Sequence, residues 1–246
     1  MDSHSLDENE IPLSPSKARL RRWLGYTFLF LILFLLIDIG RIFVQVSMLS
    51  VRNPQSTAFI QRYLKTCNNP CPFHQHWKPL SEISKNLQEA VLIGEDDAFF
   101  EHEGIDTEAL KESIELNLKK KKFVRGGSTL TEQLAKNLYL SPSKNPWRKV
   151  KEMLIALLLE RMLSKQRILE IYLNVIEWGK GIYGAEAASE YYFKKEASAL
   201  TAPEAAYLAA IIPNPSLYTG HWSQKALYRK GVILKRMGYR NFEGLN

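Results

Sequence analysis

The stretch SEISKNLQEAVLIGEDDAFFEHEG, residues 81–104, decides the fold class of this chain. Its apolar residues Ile83, Leu87 and Val91 recur every four positions, which is the spacing of one helix face. Similar helical patterns return in TLTEQLAKNLYL, WRKVKEMLIALLLERML, RILEIYLNVIEW and APEAAYLAAII, and no alternating strand of useful length appears. The sequence therefore predicts an all-α (mainly α) protein.

The helix in this stretch carries a carboxylate on its apolar face. Glu95 follows Val91 by four residues and so shares its stripe. Partial desolvation raises the pKa of such a carboxyl group towards working pH, as a general base requires. A helix-end carboxylate that caps backbone or pairs with a lysine would show the same pattern. The next residues include metal-ligand types at no recognised metal spacing: Asp96, Asp97 and His102.

Composition limits the class of protein without choosing a function. The 246 residues are 46% hydrophobic and 24% charged, which suits one large or two small globular domains. A formal charge of +7 favours an anionic partner, namely nucleic acid, anionic lipid or phosphate. Two cysteines, Cys67 and Cys71, are too few for a disulfide framework. A small local disulfide and two free thiols both remain open.

The N-terminal region has the pattern of a membrane anchor. Residues 23–37 are uncharged, and apolar character continues past Asp38 and Arg41, so we predict a span at 23–43. Asp38 and Arg41 lie near the far interface or pair one turn apart. No small-residue cleavage site follows, which favours an uncleaved anchor over a signal peptide. The preceding basic residues flank one end only, unlike in a buried core helix: Lys17, Arg19, Arg21 and Arg22.

The charge bias also predicts an orientation. Residues 1–22 form a cytoplasmic tail, and everything after about residue 45 lies outside the cytoplasm. Residues 44–79 have few periodic signals and are interpreted as a linker and domain entrance, followed by one domain at 80–246. The lysine run 119–122 is typical of a solvated basic face, or contacts anionic head groups if it lies near a membrane.

The stretch VRGGSTLTEQLAKNLYL, residues 124–140, predicts a glycine loop that leads into a helix. Thr129 and Glu132 have the spacing of a capping box, and the free N–H groups of a helix N-terminus favour an anion. A well-capped surface helix would have the same sequence. Three polar side chains lie further along on one face: Gln133, Lys136 and Asn137.

The stretch NPWRKVKEMLIALLLE, residues 145–160, supplies a second inward carboxylate. Asn145 suits the N-cap and Pro146 the first helical position. Glu152 shares its helix face with apolar residues and should point inward, although an exposed pair with Arg148 is the simpler alternative. The nearby cations keep this carboxylate ionised and also suit phosphate: Arg148, Lys149 and Lys151.

Two carboxylates in different environments favour chemistry at a sugar anomeric centre. The clustered cations favour a phosphorylated leaving group. Neither signal is specific alone, but they occur together in a chain that carries a predicted membrane anchor.

These stretches resemble the peptidoglycan glycosyltransferases of family 51 in their monofunctional, membrane-anchored form. The family's first three motifs, E-D-x-x-F-x-x-H-x-G, G-G-S-T-x-T-x-Q-x-x-K-N and R-K-x-x-E, are matched in order, and its fourth and fifth have similar counterparts. The matches fall at residues 95–104, 126–137, 148–152, 167–189 and 200–215. Glu132 stands where the family often has glutamine, and the capping box explains it. We expect no transpeptidase domain of the kind that two-domain relatives carry.

The resemblance implies a lysozyme-like helical glycosyltransferase domain on the outer face of the inner membrane. It implies that the partners are lipid II, the growing glycan chain and membrane lipid, not nucleic acid, with cell-wall synthesis proteins as further candidates. The catalytic residues would be Glu95, as the base for the acceptor 4-hydroxyl, and Glu152, which orients cations or helps to hold a divalent ion. The substrate-binding residues would be Gly127, Ser128, Thr129, Gln133, Lys136, Asn137, Arg148 and Lys151.

The sequence itself requires no cofactor, although Mg²⁺ or Mn²⁺ assistance fits the chemistry. One alternative function is a lysozyme-like enzyme that cleaves peptidoglycan, which would need an acidic residue but no phosphate-binding cations and no membrane tether. Another is a membrane-anchored binding module, which would not need Glu95 on an apolar face.

Overall fold

The computed structural model divides into two compact units, Met1–Gln45 and Val46–Asn246. The structure describes residues 15–67, 70–120, 126–141, 145–215 and 223–238. The predicted cytoplasmic tail lies mostly outside this part of the chain, and so do Lys121 and Lys122 of the lysine run.

The first helix, α1, covers Pro15–Met48, and its residues 19–48 are apolar enough to cross a membrane. Its 34 residues extend roughly 50 Å at about 1.5 Å per residue, which exceeds the hydrocarbon core of a bilayer. The predicted span at 23–43 lies within this helix. Asp38 and Arg41 form the predicted ion pair, with Oδ1 and Nη2 3.0 Å apart.

The remaining described chain is mainly helical, which confirms the predicted fold class. Short 3-10 turns occur at Leu80–Glu82 and Ala197–Ala199. The further α-helices are α2 (Ala58–Thr66), α3 (Lys85–Glu95), α4 (Thr107–Lys120), α5 (Leu130–Tyr139), α6 (Pro146–Met162), α7 (Lys165–Val175), α8 (Ala185–Phe193), α9 (Ala202–Ile211) and α10 (Gln224–Arg236).

A small sheet accompanies the helices, and its strands are too short for alternation to reveal them. Strand β3 pairs in parallel with β1 and antiparallel with β2, in the order β1-β3-β2. The strands are β1 (His74–Gln75), β2 (Glu177–Gly179) and β3 (Ile182–Tyr183).

The segment expected to be a linker and domain entrance, 44–79, contains both α2 and β1. Cys67 and Cys71 form a disulfide in this segment. The Asn174 side chain, at the end of α7, holds both backbone groups of Lys78 at 2.8 Å, and Gln75 donates to the Asn174 carbonyl. These bonds attach the C-terminal part of the segment to the end of α7.

Helix α3 carries the Glu95 side chain at its C-terminal end. It packs against α9 and α10, while α5 packs against α6 and α7. Ile83, Leu87 and Val91, the stripe identified in the sequence, are buried as predicted. Gly94 keeps α3 close to α10, because an added Cβ would lie 3.2 Å from Ile233 Cδ1.

Candidate active site

Glu95 is the last residue of α3, and its side chain is only 9% exposed. Its Oε2 accepts a hydrogen bond from Gln133 Nε2 at 2.9 Å, and its Oε1 pairs with Arg229 Nη2 at 2.6 Å. Burial raises the pKa of Glu95, and the charges and hydrogen bonds of Arg229, Gln133 and Lys136 only partly oppose that rise. The predicted desolvated carboxylate is therefore confirmed.

Tyr172 fixes the amide group that faces this carboxylate. Its hydroxyl donates to Gln133 Oε1 at 3.0 Å, which leaves the Gln133 amide nitrogen directed at Glu95. Tyr172 is fully buried, and burial raises its pKa well above the usual value, so it remains a hydrogen-bond donor. The sequence analysis missed Tyr172 because only the approach of α7 to α5 gives it this role.

Arg229, on α10, is a second contact that the sequence analysis missed. Its Nη2 bonds Glu95 Oε1 and also the Gly94 carbonyl, each at 2.6 Å. A signal was available, because Arg229 lies three residues after Ala226 and four before Ile233, which are both buried. A cation on the apolar face of its helix is the counterpart of the carboxylate on the apolar face of α3.

Asp96, directly after Glu95, serves the fold rather than a metal. Its Oδ2 accepts the backbone N–H of Leu130 at 2.7 Å, and its Oδ1 lies 3.0 Å from His102 Nε2. Asp97 pairs with Arg236 on the solvent side. In the described residues, no group of three or more His, Cys, Asp or Glu is arranged to hold a metal ion.

The predicted capping box at the start of α5 is present. Thr129 Oγ1 accepts from Glu132 N at 3.1 Å, and Glu132 Oε2 accepts from Thr129 N at 2.9 Å. Thr129 Oγ1 also donates to the Gly104 carbonyl at 2.7 Å. The expectation that the N–H groups of this helix N-terminus are free to bind a substrate anion is wrong for two of them. The Leu130 N–H already donates to Asp96, and the Glu132 N–H already donates to Thr129.

Gly127 is required for close packing rather than for an unusual backbone angle. An added Cβ would lie 2.6 Å from Ser113 Oγ and 2.9 Å from Leu110 Cα, on α4. Asn137 similarly has an internal partner, since its Nδ2 donates to the Gln133 carbonyl at 2.8 Å.

Glu152 anchors a second cluster on α6. The residue is 3% exposed, so the predicted inward orientation is confirmed. Its Oε2 lies 2.7 Å from Arg148 Nη1, and its Oε1 lies 2.7 Å from Lys149 Nζ. Lys149 also reaches Ser128 Oγ at 2.8 Å and Glu132 Oε1 at 2.9 Å. Lys149 thus joins α6 to the loop before α5, a role that the sequence analysis did not assign.

Lys136 connects the two clusters electrostatically. Burial is the largest influence and lowers its pKa. The charge of Glu152 opposes that shift strongly and that of Glu95 weakly, while Arg148 also lowers the Lys136 pKa. Lys136 therefore lies in the field of both carboxylates.

Arg148 also borders a cavity of about 350 Å³ at the junction of α5 and α6. Lys151 faces this cavity and makes none of the contacts described for Glu95. The structure thus joins Glu95 with Gln133 and Glu152 with Arg148, and it brings Ser128 to the Glu152 cluster only through Lys149. Lys151 lines the neighbouring cavity. The lining residues are Tyr139, Leu140, Ser141, Asn145, Trp147, Arg148 and Lys151.

Comparisons with known proteins identify the family of this chain. The transglycosylase family model matches residues 62–238. The biosynthetic peptidoglycan transglycosylase of Chromobacterium violaceum is 48% identical over 76% of this chain and 84% of its own length. The match is longer for two proteins of the same name. The one from Nitrosospira multiformis is 44% identical over 88% of this chain and 96% of its own length. The one from Nitrosomonas eutropha is 41% identical over 94% of this chain and 97% of its own length. The chain therefore belongs to the transglycosylase family.

Proposed function

We propose that this chain is a peptidoglycan glycosyltransferase that polymerises lipid II into β-1,4-linked glycan strands for the cell wall, with inversion at the anomeric carbon. The observation that carries the proposal is the buried Glu95 carboxylate, whose pKa is raised and whose two oxygens are both held by hydrogen bonds. Membership of the transglycosylase family and the names of the similar proteins support it.

The reaction needs one base. Glu95 takes the proton from the 4-hydroxyl of the acceptor lipid II, and the freed oxygen attacks the anomeric carbon of the growing chain from the face opposite its diphosphate. A new carbon–oxygen bond forms as the bond to the diphosphate breaks. Undecaprenyl pyrophosphate leaves with the bonding electrons.

The leaving diphosphate needs positive charge, and Lys136 and Arg148 are proposed to supply it. Charge-assisted contacts to phosphate are stronger than neutral ones, and a half-buried site screens them less than bulk water does. Glu152 orients this charge through its contact with Arg148. Lys151 is assigned to the adjoining cavity, where the diphosphate or its first lipid carbons would extend.

A resident divalent ion does not fit the described residues. Both oxygens of Glu152, the carboxylate expected to assist a metal, already contact the cations of Arg148 and Lys149. A bound Mg²⁺ would have to displace one of these contacts and would then lie beside two positive side chains. The side chains themselves therefore supply the base and the positive charge in the proposed reaction.

Product size is the deciding experiment. Purified full-length protein is incubated with lipid II in detergent, and the glycan products are separated by length. We expect strands longer than the substrate. Shortened glycan from preformed peptidoglycan would instead support the lysozyme-like alternative, and binding without any change in length would support a binding module.

The orientation of the chain in the inner membrane is part of the proposal. The basic residues in the first turns of α1, ahead of its apolar stretch, favour a cytoplasmic N-terminus and a catalytic unit on the outer face, where lipid II is polymerised. A reporter that is active only in the periplasm, fused after Asn246, is expected to be active. Activity of a cytoplasm-only reporter at that position would reverse the topology.

A further inference from the structure

Arg229 is the only cation with a direct contact to Glu95 among the described residues. One of its nitrogens, Nη2, bonds both the Glu95 carboxylate and the Gly94 carbonyl. The two acceptors belong to consecutive residues in the last turn of α3. Arg229 therefore holds the end of that helix as well as the side chain that projects from it.

The pair differs from an ordinary surface salt bridge. Exposed pairs contribute little because water screens both charges. Here the Glu95 side chain is 9% exposed and the Arg229 side chain 32% exposed, so the carboxylate has lost most of its water. Among the influences that lower the pKa of Glu95 against burial, the Arg229 charge is the largest.

We propose that Arg229 is a positioning residue for the general base, which holds Glu95 by Oε1 and α3 by the Gly94 carbonyl so that the carboxylate is ionised and aligned before the acceptor arrives. The inference rests on the proposed function of Glu95. Nothing in the five motifs assigns this role, because Arg229 lies beyond the last of them.

The other groups around Glu95 do not replace Arg229. Helix α5 presents the neutral Gln133 amide and the Lys136 cation. Burial lowers the pKa of Lys136. Helix α7 presents the neutral Tyr172 hydroxyl. The oxygens of the adjacent Asp96 are held by Leu130 N and His102 Nε2. On α10, Arg236 is paired with Asp97.

The test is the pH profile of lipid II polymerisation by Arg229→Gln. The loss of the cation raises the pKa of Glu95 further, so a larger fraction of the base is protonated at neutral pH. The acid limb of the profile should move upward by about 1–2 pH units, and activity lost at pH 7 should return in part at pH 8.5–9. A merely structural role would lower the rate by a similar factor at every pH.

Arg229→Lys supplies the conservative comparison. Lysine keeps the charge but lacks the planar guanidinium. The acid limb of Arg229→Lys should therefore shift less from the wild-type position than the acid limb of Arg229→Gln. The rate of Arg229→Lys at neutral pH should remain below that of the wild type. Arg236→Gln is the matched control on the same helix, and its acid limb should not move. Identical limbs for Arg229→Gln and wild type would overturn the inference.

A measurement of stability tests the same pair without activity. Arg229→Gln should lower the free energy of unfolding of the otherwise wild-type protein at pH 7. The decrease should be clearly smaller in a Glu95→Gln background, because that background has no carboxylate charge for Arg229 to hold. Equal costs in the two backgrounds would show that Arg229 acts on the fold alone. Failure of the wild-type chain to polymerise lipid II would contradict the proposed function instead, and would leave this stability comparison intact.

Discussion

The two carboxylates of the site differ in how fully their charge is compensated. Glu152 contacts two cations directly, each at 2.7 Å, and both come from its own helix. Glu95 contacts one cation and one neutral amide, from two other helices. A carboxylate held between two cations, such as Glu152, is suited to fixing the positions of those cationic side chains. A buried carboxylate with less compensation has a raised pKa and is suited to exchanging a proton.

Neighbouring residues show the same contrast at shorter range. Asp96 is the C-cap residue that follows α3, and its carboxylate contacts Leu130 N and His102 Nε2. It therefore connects the first motif to the start of α5. Glu95, one residue earlier, faces Gln133 and Arg229. We therefore expect Glu95→Gln to lower mainly the rate of glycan synthesis and Asp96→Asn to lower mainly the stability of the fold.

Replacement of the base should have the largest effect. Glu95→Gln keeps the shape and removes the proton acceptor, and loss of a general base typically lowers the rate by about 10²–10⁴-fold. We expect this loss in glycan synthesis from lipid II, with a normal circular-dichroism spectrum, because glutamine is tolerated at the same helix position.

Glu101→Gln is the matched control, since Glu101 lies in the same motif but is exposed. Its rate should remain near that of the wild type. Polymerisation by Glu95→Gln at a similar rate would exclude Glu95 as the base, and would remove the functional distinction between Glu95 and Glu152.

Loss of a cation around Glu152 should have the next largest effect. If Lys136 and Arg148 bind the donor diphosphate, each contact contributes about 1.5–3 kcal/mol. Lys136→Ala and Arg148→Ala should then each reduce turnover by roughly 10- to 100-fold, because about 1.4 kcal/mol corresponds to a factor of ten. Initial rates at saturating lipid II would measure the loss.

A surface lysine provides the comparison for these two variants. Lys111 on α4 is exposed, so Lys111→Ala should change the rate by a factor of about two or less at moderate salt. The lysine run is less suitable, because Lys121 lies outside the described residues. Equal small effects at all three positions would mean that Lys136 and Arg148 carry ordinary surface charge.

Local sequence patterns predicted the features that depend on neighbours within two helical turns. The stripe that carries Glu95, the inward orientation of Glu152 and the Thr129 capping box all follow from spacings of three or four residues. The Asn145 cap, which accepts from Trp147 N, is of the same kind.

Contacts between distant parts of the chain could not be predicted in this way. Arg229 meets Glu95 across 134 residues, and Asp96 meets Leu130 across 34. Which cation reaches a buried acid depends on how α10 and α3 pack, and no spacing contains that information. The same limit applies to Tyr172 and to the short sheet, in which His74 of β1 pairs with the distant Ile182 of β3.

The cap of α5 by Asp96 should matter for stability more than for chemistry. Asp96→Asn removes the charge from a buried group that binds Leu130 N and faces His102, and an imperfectly satisfied buried polar group costs about 1–3 kcal/mol. We expect a lower free energy of unfolding in urea. The catalytic unit that remains folded should retain most of its turnover, unlike Glu95→Gln.

Asp97→Asn is the control for that variant, because Asp97 is exposed and its pair with Arg236 is screened by water. Its stability should change by less than about 1 kcal/mol. If Asp96→Asn instead abolished turnover with unchanged stability, Asp96 would belong with Glu95 in the chemistry.

The smallest expected effect is at Thr129, which the sequence placed among the substrate-binding residues. In the structure its hydroxyl accepts from Glu132 N and donates to the Gly104 carbonyl, so both of its roles are internal. Thr129→Ala should reduce the free energy of unfolding by about 1 kcal/mol, the usual contribution of a cap. The KM for lipid II should stay within about twofold of wild type, because a change of about 0.4 kcal/mol or less is expected where no substrate contact is lost. A clear rise in KM at unchanged stability would show that Thr129 binds substrate, and would extend the donor site from Lys136 and Arg148 to the N-terminus of α5.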